Sequence, residues 1–364
     1  MADLPVLPLE LIFHIISSLV GDPGTILHPS DSATKALLSF TLVSRATYPV
    51  ASNYLRKNCV YIDNDIRLRH LIHCVEATRD HHHTLSSSDN NQAALLTPSP
   101  TPRLHPLTAL YLGPFTRTID NQPTAIWVRE LFCLVHPTLR RLAVDMPLRS
   151  LYPADDHLSV RATLREAFAM LRALEEFASV RDELFLDVLE PEWRAGRGGE
   201  PAVWESWPRL RRLALESVAA GEDFWRAVAA KRGAGEPGAR PAGLSAACAR
   251  PAVAGLGGGL GAEGAVELPR PLKVVVAGFP YNLQTSRWAG RRNWDRIDRD
   301  NIMKVMTYDA PDSVYDGENL LDRYYEWVKT AALNGDIWDW EGPLVMGTPK
   351  AEESTDAVVF ELEA

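Results

Sequence analysis

His136-Pro137-Thr138-Leu139-Arg140-Arg141-Leu142-Ala143-Val144-Asp145 returns 71 residues later as Trp207-Pro208-Arg209-Leu210-Arg211-Arg212-Leu213-Ala214-Leu215-Glu216. Half of that offset predicts an intermediate copy near residue 174, where Leu174-Glu175-Glu176-Phe177-Ala178-Ser179 lies. Looser copies fit at 107–112 and at 272–277. A unit that returns at a nearly constant spacing predicts a repeat architecture.

The spacing of apolar residues within each copy indicates the structure of one unit. The last two apolar positions alternate, which is typical of a half-buried strand. Helical patterns lie between the copies, at 126–135, 160–171 and 224–230. A strand and a helix that cannot bury their own apolar faces must stack on a neighbouring unit, so the pattern predicts a curved strand/helix solenoid. It resembles an irregular leucine-rich repeat without the usual asparagine or cysteine ladder, and an ordinary α/β domain with short apolar strands remains an alternative.

A second informative segment lies near the N-terminus. It begins with Leu7-Pro8-Leu9-Glu10-Leu11, and its apolar residues at 11, 12, 15, 16 and 19 form a wide helical stripe. Beyond a polar turn at 21–24, a second helical region opens near residue 36 and passes through Leu42-Val43-Ser44-Arg45. Helices this short bury little surface alone, so we expect them to need a partner.

The opening Leu-Pro-x-Glu-Leu-x-x-x-Ile-x-x-x-Leu, followed by Leu-Val-Ser-Arg, resembles the F-box motif. The resemblance implies a three-helix module that docks on the Skp-type adaptor of a cullin–RING ubiquitin ligase. The amino-acid sequence of the C-terminal half is similar to that of F-box proteins of filamentous fungi. The implied adaptor-binding residues are Leu7, Pro8, Glu10, Leu11, Ile15, Leu19, Leu38, Leu42, Val43 and Arg45.

Two features of this segment leave alternatives open. The stretch from Val20 to Thr34 is longer than the usual loop between the first two F-box helices, so it either bulges outwards or weakens docking. Apolar stripes at helical spacing are also typical of ordinary core packing. Residues 4–62 could therefore be a helical cap on the solenoid instead of a docking module.

The predicted fold class is α/β, with a short all-helical F-box module followed by an irregular leucine-rich-repeat-like solenoid. The F-box-like helices occupy 4–62, and a helix with a low-complexity linker occupies 63–104, the linker itself being 81–103. The repeat region occupies 105–345, and its glycine- and alanine-rich insertion at 233–264 is predicted to be disordered. An acidic tail occupies 346–364.

Composition excludes several classes of partner. A net charge of -9 and a pI near 5.6 argue against nucleic acid, because neutralising phosphates needs excess cations. No uncharged apolar run reaches the length of about 18 residues that a membrane span needs, and no secretory signal is recognisable.

The chain has four cysteines, and they form no C-x-x-C pair and no compact ligand spacing. They are Cys59, Cys74, Cys133 and Cys248. They predict reduced, buried cysteines of an intracellular protein in the cytoplasm or the nucleus.

No set of residues predicts catalysis, a cofactor or a metal. The string Gly259-Leu-Gly261-Ala-Glu-Gly264 matches the dinucleotide fingerprint, but prolines at 269 and 271 prevent the helix that must follow it. The calcium-loop-like stretch from Asp312 has Val314 and Arg323 where oxygen ligands are required. The chain is therefore predicted not to be an enzyme.

Five of the ten tryptophans fall within 288–340. Trp288, Trp294, Trp338 and Trp340 are candidates for target binding, since tryptophan is enriched in protein-binding hot spots. The alternative is a cap that closes the last repeat.

The predicted function is substrate recognition in an SCF-type ubiquitin ligase, with a Skp-type adaptor, cullin and a protein target as partners. The alternative function is a repeat scaffold without a ligase connection.

Overall fold

The computed structural model describes residues 7–21, 25–86, 107–189, 200–218, 222–230, 272–277, 298, 303–308, 319–340 and 344–346. It shows a mixed α/β protein, as the sequence predicts. Several predictions fall outside the described residues and stay predictions. They are the linker from 87 to 103, the disordered insertion at 233–264 with the burial of Cys248, the target-binding tryptophans Trp288 and Trp294, and the acidic tail beyond residue 346.

Three helices at the N-terminus form a module with its own core. The helices are α1 (Leu9–Ser18), α2 (Ser32–Val43) and α3 (Thr47–Asn58). Ile16 and Leu37 are fully buried between them. The turn between α2 and α3 is held by two reciprocal hydrogen bonds of 3.1 Å, in which the backbone N–H of Ser44 donates to Thr47 Oγ1 and the N–H of Thr47 donates to Ser44 Oγ. These hydrogen bonds explain the local role of the serine within Leu-Val-Ser-Arg, which is to hold the turn.

Within the described residues, eight strands form one sheet in which every strand pairs with the next strand of the sequence. Strands β1 to β7 are parallel, and β8 pairs antiparallel with β7. The five predicted copies are β2 to β6. The strands are β1 (Tyr61–Ile62), β2 (Ala109–Leu112), β3 (Arg141–Val144), β4 (Glu176–Ser179), β5 (Arg212–Glu216), β6 (Leu272–Ala277), β7 (Met303–Tyr308) and β8 (Leu344–Met346).

The repeated apolar positions lie in register across the sheet. Leu142 pairs with Phe177, and Phe177 pairs with Leu213. These side chains face helices that connect the strands and cover one face of the sheet, with α4 beside α5 and α5 beside α6. The helices are α4 (Asp65–Ser86), α5 (Gln122–Val135), α6 (Val160–Ala169) and α7 (Glu222–Ala230), with short 3-10 helices at Leu148–Ser150, Pro153–Asp155 and Val203–Ser206. Because α4 extends to Ser86, the predicted start of the low-complexity linker at residue 81 is wrong.

The opposite face of the sheet is covered by the C-terminal helices α8 (Leu320–Asn334) and α9 (Asp336–Asp339). Ala143, Ala178 and Ala214 lie side by side on β3, β4 and β5. Small side chains in one row allow a helix to approach the strands closely, and large side chains from α8, with Tyr324 fully buried, pack on them. The sequence predicts that the tryptophan-rich stretch closes the last repeat. This needs correction for α8 and α9, because the two helices cover a face of the sheet.

The long loop between α1 and α2 joins the module to α8. The backbone N–H of Ile26 donates to the carbonyl oxygen of Leu333 at 2.9 Å, and the Ile26 side chain is buried against the sheet and α8. On the module side, Asn58 Nδ2 donates to the carbonyl oxygen of Thr25 at 3.1 Å. The described part of this loop is therefore packed against the rest of the chain, and it does not bulge outwards.

The cysteines differ in part from the prediction. Cys59 is half-buried and Cys74 is exposed, so burial was predicted wrongly for both. Cys133 is disulfide-bonded, which corrects the expectation of reduced thiols throughout. Among the described residues, no helix combines the length and the apolarity that crossing a bilayer requires.

Candidate functional site

Helix α1 presents an exposed apolar stripe. The exposed fractions are 50% for Leu7, 51% for Leu11 and 42% for Ile15. Leu7 precedes α1, and within the helix the spacing of four residues places Leu11 and Ile15 above one another. The adjacent stripe, centred on Ile16, is buried in the module core. The exposure is therefore a property of one side of a packed helix.

The C-terminal half of α2 likewise has one buried side and one exposed apolar side. Leu37 is fully buried, whereas Leu38, Leu42 and Val43 are 52%, 86% and 61% exposed. Burying a leucine side chain completely contributes roughly 1.5–3 kcal/mol, so leaving one at 86% exposure forgoes most of that energy. Groups of large apolar side chains left exposed by a packed module are typical of protein-binding surfaces. We call the residues Leu7, Leu11, Ile15, Leu38, Leu42 and Val43 the N-terminal apolar face.

The remaining predicted adaptor-binding residues fall into two groups. Pro8, Glu10 and Arg45 are exposed beside the N-terminal apolar face in the sequence. Leu19 is half-buried and packs against the module core, so its role within the folded chain is structural. Sequence reasoning missed Tyr48, which is 45% exposed on α3, because the motif extends only to Arg45.

The candidate target-binding tryptophans within the described residues are not exposed. Trp338 is 4% exposed in α9, and its carbonyl oxygen accepts a hydrogen bond from Lys273 Nζ on β6. Trp340 is partly buried, and its Nε1 donates to the carbonyl oxygen of Thr307 on β7 at 2.8 Å. Contacts of both residues therefore hold α9 on the sheet. The burial of Trp338 contradicts the prediction that it binds a target directly, whereas target binding by the partly buried Trp340 stays a prediction.

Buried carboxyl groups lie where the central strands end, and sequence reasoning missed them. Asp145 follows β3, Glu216 ends β5, and both occupy the same position of the repeated stretch, which was the available signal. Asp145 accepts hydrogen bonds of 2.7 Å from the Tyr111 hydroxyl and from Arg181 Nε. Because both its oxygens have donors, the cost of burying this carboxylate is offset.

Asp182 and Glu216 are also buried, but hydrogen bonds offset the cost of burying their charge less completely. Burial raises the pKa of Asp182 to about 7, although the backbone N–H groups of Arg149 and Leu184 donate to it. Burial likewise raises the pKa of Glu216 to about 8, against a hydrogen bond from the Ser217 hydroxyl. Such groups can hold a proton near neutral pH. Within the described ranges, no group of three or more His, Cys, Asp and Glu side chains is arranged to hold a metal ion.

Comparisons of the chain with family models, with curated proteins and with solved structures found no match in any of the three. Two candidate regions emerge from the geometry. The N-terminal apolar face offers a surface for another protein. The carboxyl edge of β3 to β5 combines buried titratable groups with the loops that leave the sheet.

Proposed function

We propose that the chain is the substrate-recognition subunit of an SCF-type cullin–RING ubiquitin ligase. In this proposal the N-terminal apolar face binds a Skp-type adaptor, and the repeat region, similar to an irregular leucine-rich-repeat solenoid, holds a protein target. The observation that carries the proposal is the exposure of the N-terminal apolar face. The F-box resemblance assigns these same residues to adaptor contact.

The packing of α1 and α2 supports this reading over that of a helical cap. A cap would turn its apolar stripes towards the repeats, whereas Leu11 and Leu42 are 51% and 86% exposed to solvent. The module also has a separate core around Ile16 and Leu37, so its fold does not depend on burying the exposed residues. Burial of this face would instead contribute binding energy to a partner.

The proposed mechanism is positional and needs no catalytic group in this chain. Holding a target near the charged conjugating enzyme raises their effective concentration. A rigid link between the two binding regions favours such a mechanism, because a fixed distance restricts the target to a productive position. The contact between Ile26 and Leu333 supplies a link of this kind between the module and α8.

A binding measurement between the full chain and a purified Skp-type adaptor tests the proposal. We expect the double variant Leu7→Ala with Pro8→Ala to abolish adaptor binding, and Leu42→Ala alone to weaken it about tenfold or more. Leu321→Ala is the matched control, since Leu321 is 54% exposed on α8 and lies outside the module. Adaptor binding that these module variants leave unchanged would contradict the proposal.

The runner-up function is a repeat scaffold without a ligase connection. The same measurement separates the two functions, because a scaffold has no reason to bind the adaptor. A wild-type chain that binds its protein partners but shows no adaptor binding at micromolar concentrations would favour the scaffold.

A further inference from the structure

Two loops at the carboxyl edge of the sheet present exposed apolar side chains. The loop at 145–159 follows β3, and the loop at 180–189 follows β4. Tyr152, Leu158 and Leu189 are 52%, 48% and 46% exposed in these loops. The Tyr152 ring lies 6.2 Å from that of Phe185, so the two loops meet at an aromatic pair. An exposed tyrosine supported by a second ring is a typical anchor point for a protein partner.

A buried arginine holds both loops in place. The Arg161 side chain is fully buried in α6 and donates to four backbone carbonyl oxygens, at distances between 2.5 and 3.1 Å. Its guanidinium also lies over the Phe185 ring, 4.4 Å from the ring centre. Two of the accepting carbonyls belong to each loop. They are those of Leu148, Leu151, Phe185 and Asp187.

Further contacts join the two loops to each other. Asp182 accepts from the backbone N–H of Arg149 at 3.2 Å, and Arg149 forms a two-pronged ion pair with Glu183. Leu184 has a φ of 61°, a left-handed conformation that a leucine adopts only where its surroundings impose it. Loops held in this way lose little conformational entropy on binding, so they are suited to recognition.

The charge of this edge indicates the partner. The two loops carry six carboxyl groups, of which Asp182 is buried and can hold a proton. The cations close to them are the buried Arg161 of α6 and, within the loops, the two arginines Arg149 and Arg181. Both arginines already form ion pairs within the edge, with Glu183 and Asp145 respectively. Asp155 is exposed three residues after Tyr152. A partner segment with lysine or arginine would complement this excess of acidic groups.

The open face of the sheet, where a curved repeat protein could hold a ligand, is covered by α8 and α9 in this chain. We propose that the carboxyl edge formed by the loops at 145–159 and 180–189 is a docking site for a basic segment of a protein. An apolar residue of that segment packs beside Tyr152, and its cationic residues face Asp155 and the neighbouring carboxylates. That this segment belongs to a ubiquitination target rests on the function proposed above, whereas the docking site itself does not.

A randomised peptide library displayed on phage, selected against the full chain, tests this proposal. We expect the selected peptides to be enriched in lysine or arginine next to an aliphatic or aromatic residue. Measured by fluorescence anisotropy, a selected peptide should bind about tenfold more weakly to Tyr152→Ala and to Asp155→Lys. Because both residues are exposed, these substitutions leave the core intact. Leu321→Ala is the matched control and should bind as the wild type does.

Three results would overturn the docking site. They are a selection without basic enrichment, equal binding to the wild type and to Tyr152→Ala, and a loss of binding as large for Leu321→Ala. Adaptor binding is measured on the same variants. The edge variants should keep it and the Leu7→Ala, Pro8→Ala variant should keep peptide binding, so failure of this proposal is distinguishable from failure of the ligase proposal.

Discussion

Replacing Glu216 with glutamine should stabilise the protein at neutral and alkaline pH. Glu216 is 1% exposed, and burial raises its pKa from 4.5 to about 8. Between these two values the unfolded chain has released the proton that the folded chain keeps. The folded state then binds more protons than the unfolded state, so the free energy of unfolding falls as pH rises. Glutamine removes this penalty because it stays neutral at every pH.

The magnitude follows from the width of that pH range. Between about pH 4.5 and about pH 8, each pH unit lowers the free energy of unfolding of the wild type by about 1.4 kcal/mol. The total loss reaches a few kcal/mol at pH 8. Below pH 4.5 the group is protonated in both states, and Glu216→Gln and the wild type should differ little. The stabilisation by the variant should therefore grow with pH and level off above about 8.

Urea denaturation followed by tryptophan fluorescence at several pH values measures this difference. Trp207 and Trp225 are buried in the core beside the sheet and report its unfolding. Glu76→Gln is the matched control, since the Glu76 side chain is 52% exposed on α4 and its substitution should have little effect. A difference between Glu216→Gln and the wild type that is equal at pH 5 and pH 8, or a variant less stable at pH 8, would refute the reasoning.

Three further substitutions test the packing. Arg161→Met should destabilise the protein by about 3 kcal/mol or more, seen as a lower thermal midpoint, because it leaves four buried or part-buried carbonyl oxygens without their donor. Ala178→Leu should lower the free energy of unfolding by roughly 1–3 kcal/mol, because the larger side chain overpacks the contact with α8. It should also speed amide exchange in α8 more than in α5, and equal exchange in both helices would contradict the close approach of α8 to the strands. Ile26→Ala should cost roughly 2–5 kcal/mol and increase protease cleavage within the loop between α1 and α2, a result that an unpacked loop would not give.

The repeat units and their strands could be predicted because their signal is local. In Leu142-Ala143-Val144 and Leu213-Ala214-Leu215 the alternation of side chains itself specifies a strand with two different faces. The same holds for α1, where the spacing of Leu11 and Ile15 places them on one stripe. Which stripe of α1 is exposed could be inferred only through the F-box resemblance, since apolar residues occur on both.

Other features depended on contacts between distant parts of the chain. Trp338 looked available for binding because its sequence gives no sign that α9 lies on β6. The pKa of Glu216 depends on the desolvation that folding imposes, which no local pattern encodes. The packing of the loop around Ile26 depends on α8, which lies roughly 300 residues further along the chain.

The sequence by itself determined the repeat unit, the order of β2 to β6 and the apolar stripes of the N-terminal helices, because periodicity of 2 or 3.6 residues acts through neighbouring residues. Only the tertiary structure decided which surfaces stay open. It placed α8 on the alanine row of Ala143, Ala178 and Ala214, buried Trp338, and left the N-terminal apolar face and the edge around Tyr152 exposed. Exposure depends on what every other part of the chain covers, and for that reason local patterns do not specify it.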